Sequence, residues 1–174
     1  MNMLILIAAI AAPPVPQGLP HLPRQQQHVL DRWLHAHPDF RLATEADCGQ
    51  CSEQIASVRR GFDTTWPAVP SFHPYYVSGD FNGDGVPDFA VALLDRSRRE
   101  LPFTLLVFNG PFSSNRVAGP AFVSEPLDLR GSGIFFGPPR PKPYRLVVGP
   151  FESDNTDVLI PSGAGYCWDT SGEE

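Results

Sequence analysis

The spacing of the apolar runs in the second half of the chain restricts its fold more than any other feature. Between residues 75 and 168, eight short runs of β-branched, aromatic and aliphatic residues alternate with Gly, Pro, Asn and Asp, the pattern of strands separated by turns. Most connections are too short for a crossover helix, so we expect a largely antiparallel β-sheet in meander order. The predicted strands are residues 75–77, 89–94, 103–108, 121–123, 134–136, 145–148, 158–160 and 166–168.

Two helices are expected ahead of these strands. Apolar residues recur at three- and four-residue spacing from Val29 to Leu34, which predicts an amphipathic helix over residues 24–37. A shorter helix is predicted over residues 52–60, ahead of Gly61. Helices followed by strands predict an α+β fold, with the N-terminal helices packed on the antiparallel sheet. The chain length of 174 residues fits one domain, which we place at residues 24–174.

Charge and motif content argue against several classes of function. The formal net charge is −6 and no block of Lys or Arg occurs, so nucleic acid is not an expected partner. Lys142 is the only lysine and stands between two prolines, which argues against Schiff-base catalysis. The sequence contains no G-x-S-x-G, Walker A or G-x-G-x-x-G motif.

The N-terminal residues are expected to direct export. Residues 4–12 form an apolar run that is too short to span a bilayer. The run matches the h-region of a secretory signal, with Ala9-Ile10-Ala11 as the cleavage motif. We therefore predict a signal peptide at residues 1–11, a Pro-rich linker at residues 12–23, and a secreted or periplasmic domain. No Lys or Arg precedes the run, so a buried first strand is the alternative.

One short segment, GDFNGDGVPDFA, carries a metal-binding pattern. Oxygen-bearing side chains stand at positions 1, 3, 5 and 9 of the loop that it encodes, and these are Asp80, Asn82, Asp84 and Asp88. With Gly85 at position 6, this is the first part of the D-x-[DN]-x-[DN]-G calcium-loop spacing. The backbone carbonyl of Val86, at position 7, can add a further ligand. Hard oxygen ligands without nearby His or Cys favour Ca²⁺.

Two departures separate this loop from an EF-hand. Val91 stands at position 12, where an EF-hand has a bidentate Glu, and the loop enters a predicted strand rather than a helix. The sequence GDFNGDGVPDFAVAL closely resembles the FG-GAP/VCBS type of calcium loop, seen in integrin-type propeller blades and many secreted bacterial proteins, over about residues 77–94. The resemblance implies calcium at Asp80, Asn82, Asp84 and Asp88, and implies no enzymatic activity. One copy does not make a propeller, and a metal-free turn held by Asx hydrogen bonds is the alternative.

The three cysteines, Cys48, Cys51 and Cys167, allow one disulfide and leave one thiol over in an exported protein. Cys48 and Cys51 form a C-x-x-C motif, which in thioredoxin-like proteins follows a strand and opens a helix. No βαβ pattern surrounds the motif here. A structural disulfide, either Cys48–Cys51 or one of these with Cys167, is therefore the favoured interpretation.

Together these features favour an exported domain with a binding or structural role, stabilised by calcium. Aromatic residues make up 11% of the chain. Adjacent pairs such as Tyr75 and Tyr76 point to opposite faces of an extended strand, so an exposed aromatic strip would suit a protein or glycan partner. Two alternatives stay open: a small secreted hydrolase whose carboxylates meet in space, and a thiol-disulfide protein that uses Cys48 and Cys51.

Overall fold

The structure is a computed structural model, and it describes residues 22–61, 67–100, 102–113, 119–138, 140, 142–151 and 153–171. These ranges contain two α-helices, α1 (Arg24–Ala36) and α2 (Ser52–Arg60), and a 3₁₀ turn at Glu45–Cys48. Both helices lie where the sequence predicts them. The predicted signal peptide and most of the predicted linker lie outside the described residues, and Leu22 at the end of that linker is buried.

Nine strands follow the pattern of apolar runs. They are β1 (Phe40–Leu42), β2 (Tyr76–Gly79), β3 (Asp88–Asp95), β4 (Phe103–Phe108), β5 (Phe122–Val123), β6 (Ser132–Phe135), β7 (Leu146–Pro150), β8 (Asp157–Ser162) and β9 (Gly165–Trp168). Every ladder between them is antiparallel, so the fold is mixed α and β with mostly β. The antiparallel prediction is confirmed, and β1 is an addition that the sequence pattern did not mark.

The expectation of one sheet is wrong, because the strands form two. The first sheet has the order β1-β3-β4-β5, with β2 also paired to β3, and the second has the order β6-β7-β8-β9. The chain leaves the first sheet after β5, where Leu127 pairs with Phe103 only in an isolated bridge, and β6 then starts a new ladder with β7. The length of a turn does not determine whether the next hairpin stays in the same sheet.

The two central strands of the first sheet, β3 and β4, are buried on both faces. All eight residues of β3 and all six of β4 are buried, as expected for strands that read as continuous apolar runs. One face belongs to a cluster that includes residues of α1, and the other to a larger cluster that includes residues of α2 and of the second sheet. The members from β3 are Phe89, Val91 and Leu93 in the first cluster and Ala90, Ala92 and Leu94 in the second.

The two sheets contact each other along both of their edges, β2 against β6 and β5 against β9. A glycine lies at each of these contacts. A Cβ atom at Gly165 in β9 would stand 2.6 Å from the carbonyl oxygen of Ala121, and one at Gly79 in β2 would overlap the ring of Phe136. The larger buried cluster contains residues of both sheets and also Phe81, which lies in the loop between β2 and β3. None of the helices in the described part of the chain is long and apolar enough to cross a membrane.

Candidate functional site

The loop between β2 and β3 is organised by hydrogen bonds from its own backbone to its acidic side chains. The Asp80 carboxylate accepts the N–H groups of Gly83 at 2.8 Å, Asp84 at 3.0 Å and Gly85 at 2.9 Å. Gly83 and Gly85 have φ angles of 78° and 83°, which residues with a Cβ rarely adopt. The two glycines therefore let the chain curl around the Asp80 side chain.

Asn82 and Asp84 continue this arrangement. The Asn82 Oδ1 atom accepts the N–H of Asp84 at 2.9 Å, and the Asp84 Oδ1 atom accepts the N–H of Val86 at 2.8 Å. The Asn82 amide donates to Asp84 Oδ2 at 3.1 Å. These are Asx turns, and they hold three oxygen-bearing side chains in one loop, of which Asp84 is exposed.

Asp88 differs from the other loop acids because it is fully buried. Its carboxylate accepts the N–H of Phe81 at 2.9 Å and the N–H of Gly110 at 3.0 Å. The hydroxyl of Tyr166 in β9 donates to Asn109 Oδ1 at 2.7 Å and lies 3.3 Å from Asp88 Oδ2. Asp88 therefore ties the loop to the end of β4 and to the second sheet.

This environment affects the titration of Asp88 and Tyr166. Burial raises the pKa of the Asp88 carboxyl; the N–H groups of Gly110 and Phe81 oppose that effect, and the charge of Asp84 adds to it. Burial, together with the nearby carboxylates, raises the pKa of the Tyr166 hydroxyl. Tyr166 is therefore a neutral hydrogen-bond donor, and the N–H groups of Phe81 and Gly110 provide the stabilisation that a buried carboxylate needs.

The loop carries oxygen-bearing side chains, the ligand type that hard cations prefer. In the described part of the chain, no Arg, Lys or His is ion-paired to Asp80, Asp84 or Asp88. Over the same residues no group of three or more His, Cys, Asp or Glu side chains is arranged to hold a metal. The structure thus keeps Asp80, Asn82 and Asp84 together in the loop and turns Asp88 inward from them, and Val86 supplies an N–H to the loop.

Cys48 and Cys51 lie at disulfide distance, with their Cα atoms 5.9 Å apart and within the usual range for a bridge. Cys167 in β9 is free and exposed, so the alternative pairings with Cys167 are not formed. Cys48 ends the 3₁₀ turn and Cys51 immediately precedes α2. Both are buried, at 1% and 4% exposure. A thioredoxin-like site needs an accessible cysteine at the start of a helix, and Cys48 does not meet that requirement.

A cleft of about 350 Å³ opens beside this disulfide. Three segments that are far apart in the sequence line it: residues 48–51 with Gln54, residues 130–131, and Phe151. The sequence pattern does not mark Gln54, Arg130 or Phe151, because each is an ordinary residue in its local segment and only the fold brings them together. None of the lining residues that the structure describes is Asp, Glu or His.

A histidine–carboxylate pair lies at the start of β2 and beside α2. The Nδ1 atom of His73 is 3.4 Å from Glu45 Oε1, and Arg59 forms an ion pair with the same Glu45. Burial lowers the pKa of His73, and the charge of Arg59 adds to that effect. Arg59 also donates to the carbonyl of Phe72 at 3.0 Å. The group is therefore a structural link between the 3₁₀ turn, α2 and the segment before β2, and none of its residues lines the cleft.

Comparison with protein-family models, with curated protein sequences and with solved structures finds no match to this chain. Its function is therefore inferred from the loop, the disulfide and the cleft.

Proposed function

We propose that the chain is an exported domain with a binding or structural role, and that Ca²⁺ stabilises it by binding in the loop between β2 and β3. The observation that carries this proposal is the loop itself. Its oxygen-bearing side chains follow the calcium-loop spacing, two glycines with positive φ close it, and no cationic side chain of the described residues neutralises it. Carboxylates without a counter-charge repel one another, and a divalent cation removes that repulsion.

The ligand set in this proposal is Asp80, Asn82, Asp84, the carbonyl of Val86, and Asp88. The N–H groups that Asp80 and Asp84 accept leave lone pairs free on their carboxylates, so these hydrogen bonds orient the side chains without exhausting them. The ion would supply stability rather than chemistry, because it would join the loop to the buried strand β3. The FG-GAP/VCBS resemblance supports the same ligand set.

The described residues that line the cleft include no carboxylate and no histidine, so they give the hydrolase alternative no support. The one histidine–carboxylate pair described above has its Glu45 engaged by Arg59. A binding or structural role is therefore the function that the described residues support best.

Thermal unfolding with and without calcium tests the proposal. Wild type is melted in about 2 mM CaCl₂ and in EGTA. For dissociation constants of roughly 10⁻⁴ to 10⁻³ M, linkage gives about 0.6 to 2 kcal/mol of stabilisation, a rise of roughly 2 to 7 °C in Tm. Asp84→Ala should abolish the rise, because it removes a carboxylate of the proposed ligand set.

The matched control is Asp154→Ala, which removes another exposed acidic residue outside the loop and should keep the full calcium effect. A wild-type Tm that is the same in CaCl₂ and in EGTA would sink the calcium proposal and leave a metal-free turn. An equal rise in wild type and Asp84→Ala would place the ion elsewhere.

Export is tested by the mass and location of the protein. The full chain, expressed in a Gram-negative host, should be recovered from the periplasm without residues 1–11. Leu6→Arg, which interrupts the apolar run, should leave the full-length chain in the cytosol. Recovery of the wild-type chain at full length in the cytosol would contradict export.

A further inference from the structure

The cleft beside the Cys48–Cys51 disulfide has walls that are held in place without a ligand. The disulfide joins two of its residues covalently. The N–H of Gly131 donates to the carbonyl of Cys48 at 2.9 Å, and the N–H of Phe151 donates to the carbonyl of Gly131 at 3.1 Å. Three distant segments are thus hydrogen-bonded in series around the opening. A volume of about 350 Å³ lies at the lower end of the range for small-molecule sites, which are usually preformed.

The charge of the cleft is balanced. Among the described residues that line it, Arg130 is the only charged one, and its guanidinium forms a two-point ion pair with Asp128, with Nε donating to Oδ1 at 2.8 Å and Nη2 donating to Oδ2. A guanidinium has five N–H donors, so three remain for another acceptor. The cleft therefore offers hydrogen-bond donors without a net charge, which favours a neutral polar ligand over an anion.

Gln54 adds a polar group with an unsatisfied oxygen. Its Oε1 atom is buried and accepts no hydrogen bond from the residues that the structure describes, and an unsatisfied buried acceptor costs free energy. Rotation of the amide toward the cleft would let this oxygen accept a hydroxyl from a ligand and let its NH₂ donate to a neighbouring oxygen. Gln50 brings a second amide to the same lining.

Phe151 supplies an apolar wall next to these polar groups. Its ring is held edge-on by Phe72 and Phe135, with interplanar angles of 83° in both contacts. The ring is half-buried, so part of it stays available at the cleft. A fixed aromatic surface beside amide and guanidinium donors fits a molecule that has an apolar face and a rim of hydroxyls.

We propose that this cleft binds a neutral sugar, with Gln54 and Arg130 hydrogen-bonded to its hydroxyls and Phe151 packed against a ring face. This inference rests on the binding role proposed above and names the class of ligand for it. Among the described residues the lining contains no carboxylate, so it shows no pair of carboxyl groups of the kind that most glycoside hydrolases use, and the proposal is one of binding.

The test is a ¹⁵N-edited NMR titration of the full chain with methyl glucoside, methyl galactoside, N-acetylglucosamine and cellobiose, in calcium buffer. At least one of these should give saturable shifts at Gly49, Gln54 and Gly131. Gln54→Ala and Arg130→Gln should each weaken that binding roughly two- to tenfold, the worth of one neutral hydrogen bond. Phe151→Leu, which keeps an apolar side chain in the core, should weaken it as well.

The matched controls are Gln25→Ala and Arg96→Gln, which remove the same side chains from exposed positions outside the cleft and should bind the sugar as wild type does. No shift at the cleft with any of these sugars would overturn the inference. Shifts at the same residues that saturate with sodium phosphate or acetate, and not with a sugar, would overturn it too, because they would identify an anion site.

The two proposals fail separately. Asp84→Ala should keep the sugar-dependent shifts while it loses the calcium effect on Tm, and Gln54→Ala should do the reverse. Loss of sugar binding alone therefore leaves the calcium site standing, and loss of the calcium effect alone leaves the cleft.

Discussion

The loop between β2 and β3 and the cleft beside the disulfide are built in opposite ways. Every hydrogen bond of Asp80, Asn82 and Asp84 described above joins residues no more than five positions apart. The cleft joins residues as distant as Cys48 and Phe151. The loop also carries acidic charge with no cationic side chain against it, whereas the charge of Arg130 in the cleft is balanced by Asp128. The loop is thus suited to an ion, and the cleft to a neutral molecule.

Asp88 is the loop acid whose hydrogen bonds reach beyond the loop, and its substitution should have the largest effect on the free energy of unfolding. Asp88→Ala leaves the buried N–H donors of Phe81 and Gly110 without their acceptor, which should cost about 3 to 5 kcal/mol. Asp84→Ala should cost less than about 0.5 kcal/mol in EGTA, since its side chain is exposed. Urea unfolding in EGTA measures the free energy of unfolding of both variants.

Asp88→Asn serves as the isosteric control, because it keeps an oxygen acceptor in the same place and should cost less than Asp88→Ala. Equal costs for Asp84→Ala and Asp88→Ala in EGTA would show that the loop behaves as one unit, and the distinction between its outer and inner acids would then be lost.

The local character of each element explains what the sequence could predict. The sequence predicts the strand at residues 103–108 and the helix at residues 52–60 with the same bounds as the structure. The strand is a single apolar run and the helix shows helical spacing of its apolar residues, and turn-forming residues mark where each ends. β1 was not predicted, since its three residues are too few to show alternation. The division into two sheets was not predictable either, because it depends on contacts such as those at Gly79 and Gly165 between strands that are distant in sequence.

The same reasoning applies to the candidate sites. The pattern marked Asp80, Asn82, Asp84 and Asp88 as one set, but alternation alone could not show that Asp88 is enclosed by Gly110 and Tyr166. The C-x-x-C motif marked the disulfide. It could not reveal the cleft, because Arg130 and Phe151 reach it only when the second sheet has formed.

Removal of the disulfide should impair ligand binding in the cleft and leave calcium binding in the loop unchanged. A bridge between Cys48 and Cys51 closes a short loop, so the chain-entropy relation gives it only about 2 kcal/mol. The double variant Cys48→Ser/Cys51→Ser should lose about that much stability in urea unfolding and should lose sugar binding, while its calcium-dependent rise in Tm persists. Cys167→Ser, at an exposed free cysteine, should change neither. Loss of the calcium effect in the double variant would show that the two regions are coupled.

The hydroxyl of Tyr166 in β9 donates to Asn109 Oδ1 and lies beside the Asp88 carboxylate, and Tyr166→Phe should cost about 1 kcal/mol, the worth of one buried hydrogen bond. The variant leaves Asn109 Oδ1 without its donor. Hydrogen exchange should be faster at β9 than in wild type, with α1 unaffected. Tyr144→Phe removes a hydroxyl that has no hydrogen-bond partner among the described residues and should cost less. Equal costs for the two variants would show that the hydroxyl of Tyr166 does not link the loop to β9.

The smallest expected effect concerns Asp47, which directly precedes Cys48 in the sequence and forms an ion pair with Arg41. Burial opposes ionisation of the Asp47 carboxyl, but hydrogen bonds from Arg41 and Thr44 outweigh it and hold the pKa below its usual value. An acid with a lowered folded pKa stabilises the fold above its unfolded pKa, and this stability is lost as pH falls through the folded value. Because the Arg41 side chain is 39% exposed, the loss should be less than about 1 kcal/mol. In EGTA, wild type should lose more stability than Asp47→Asn below about pH 4, and parallel urea midpoints for the two proteins would contradict this.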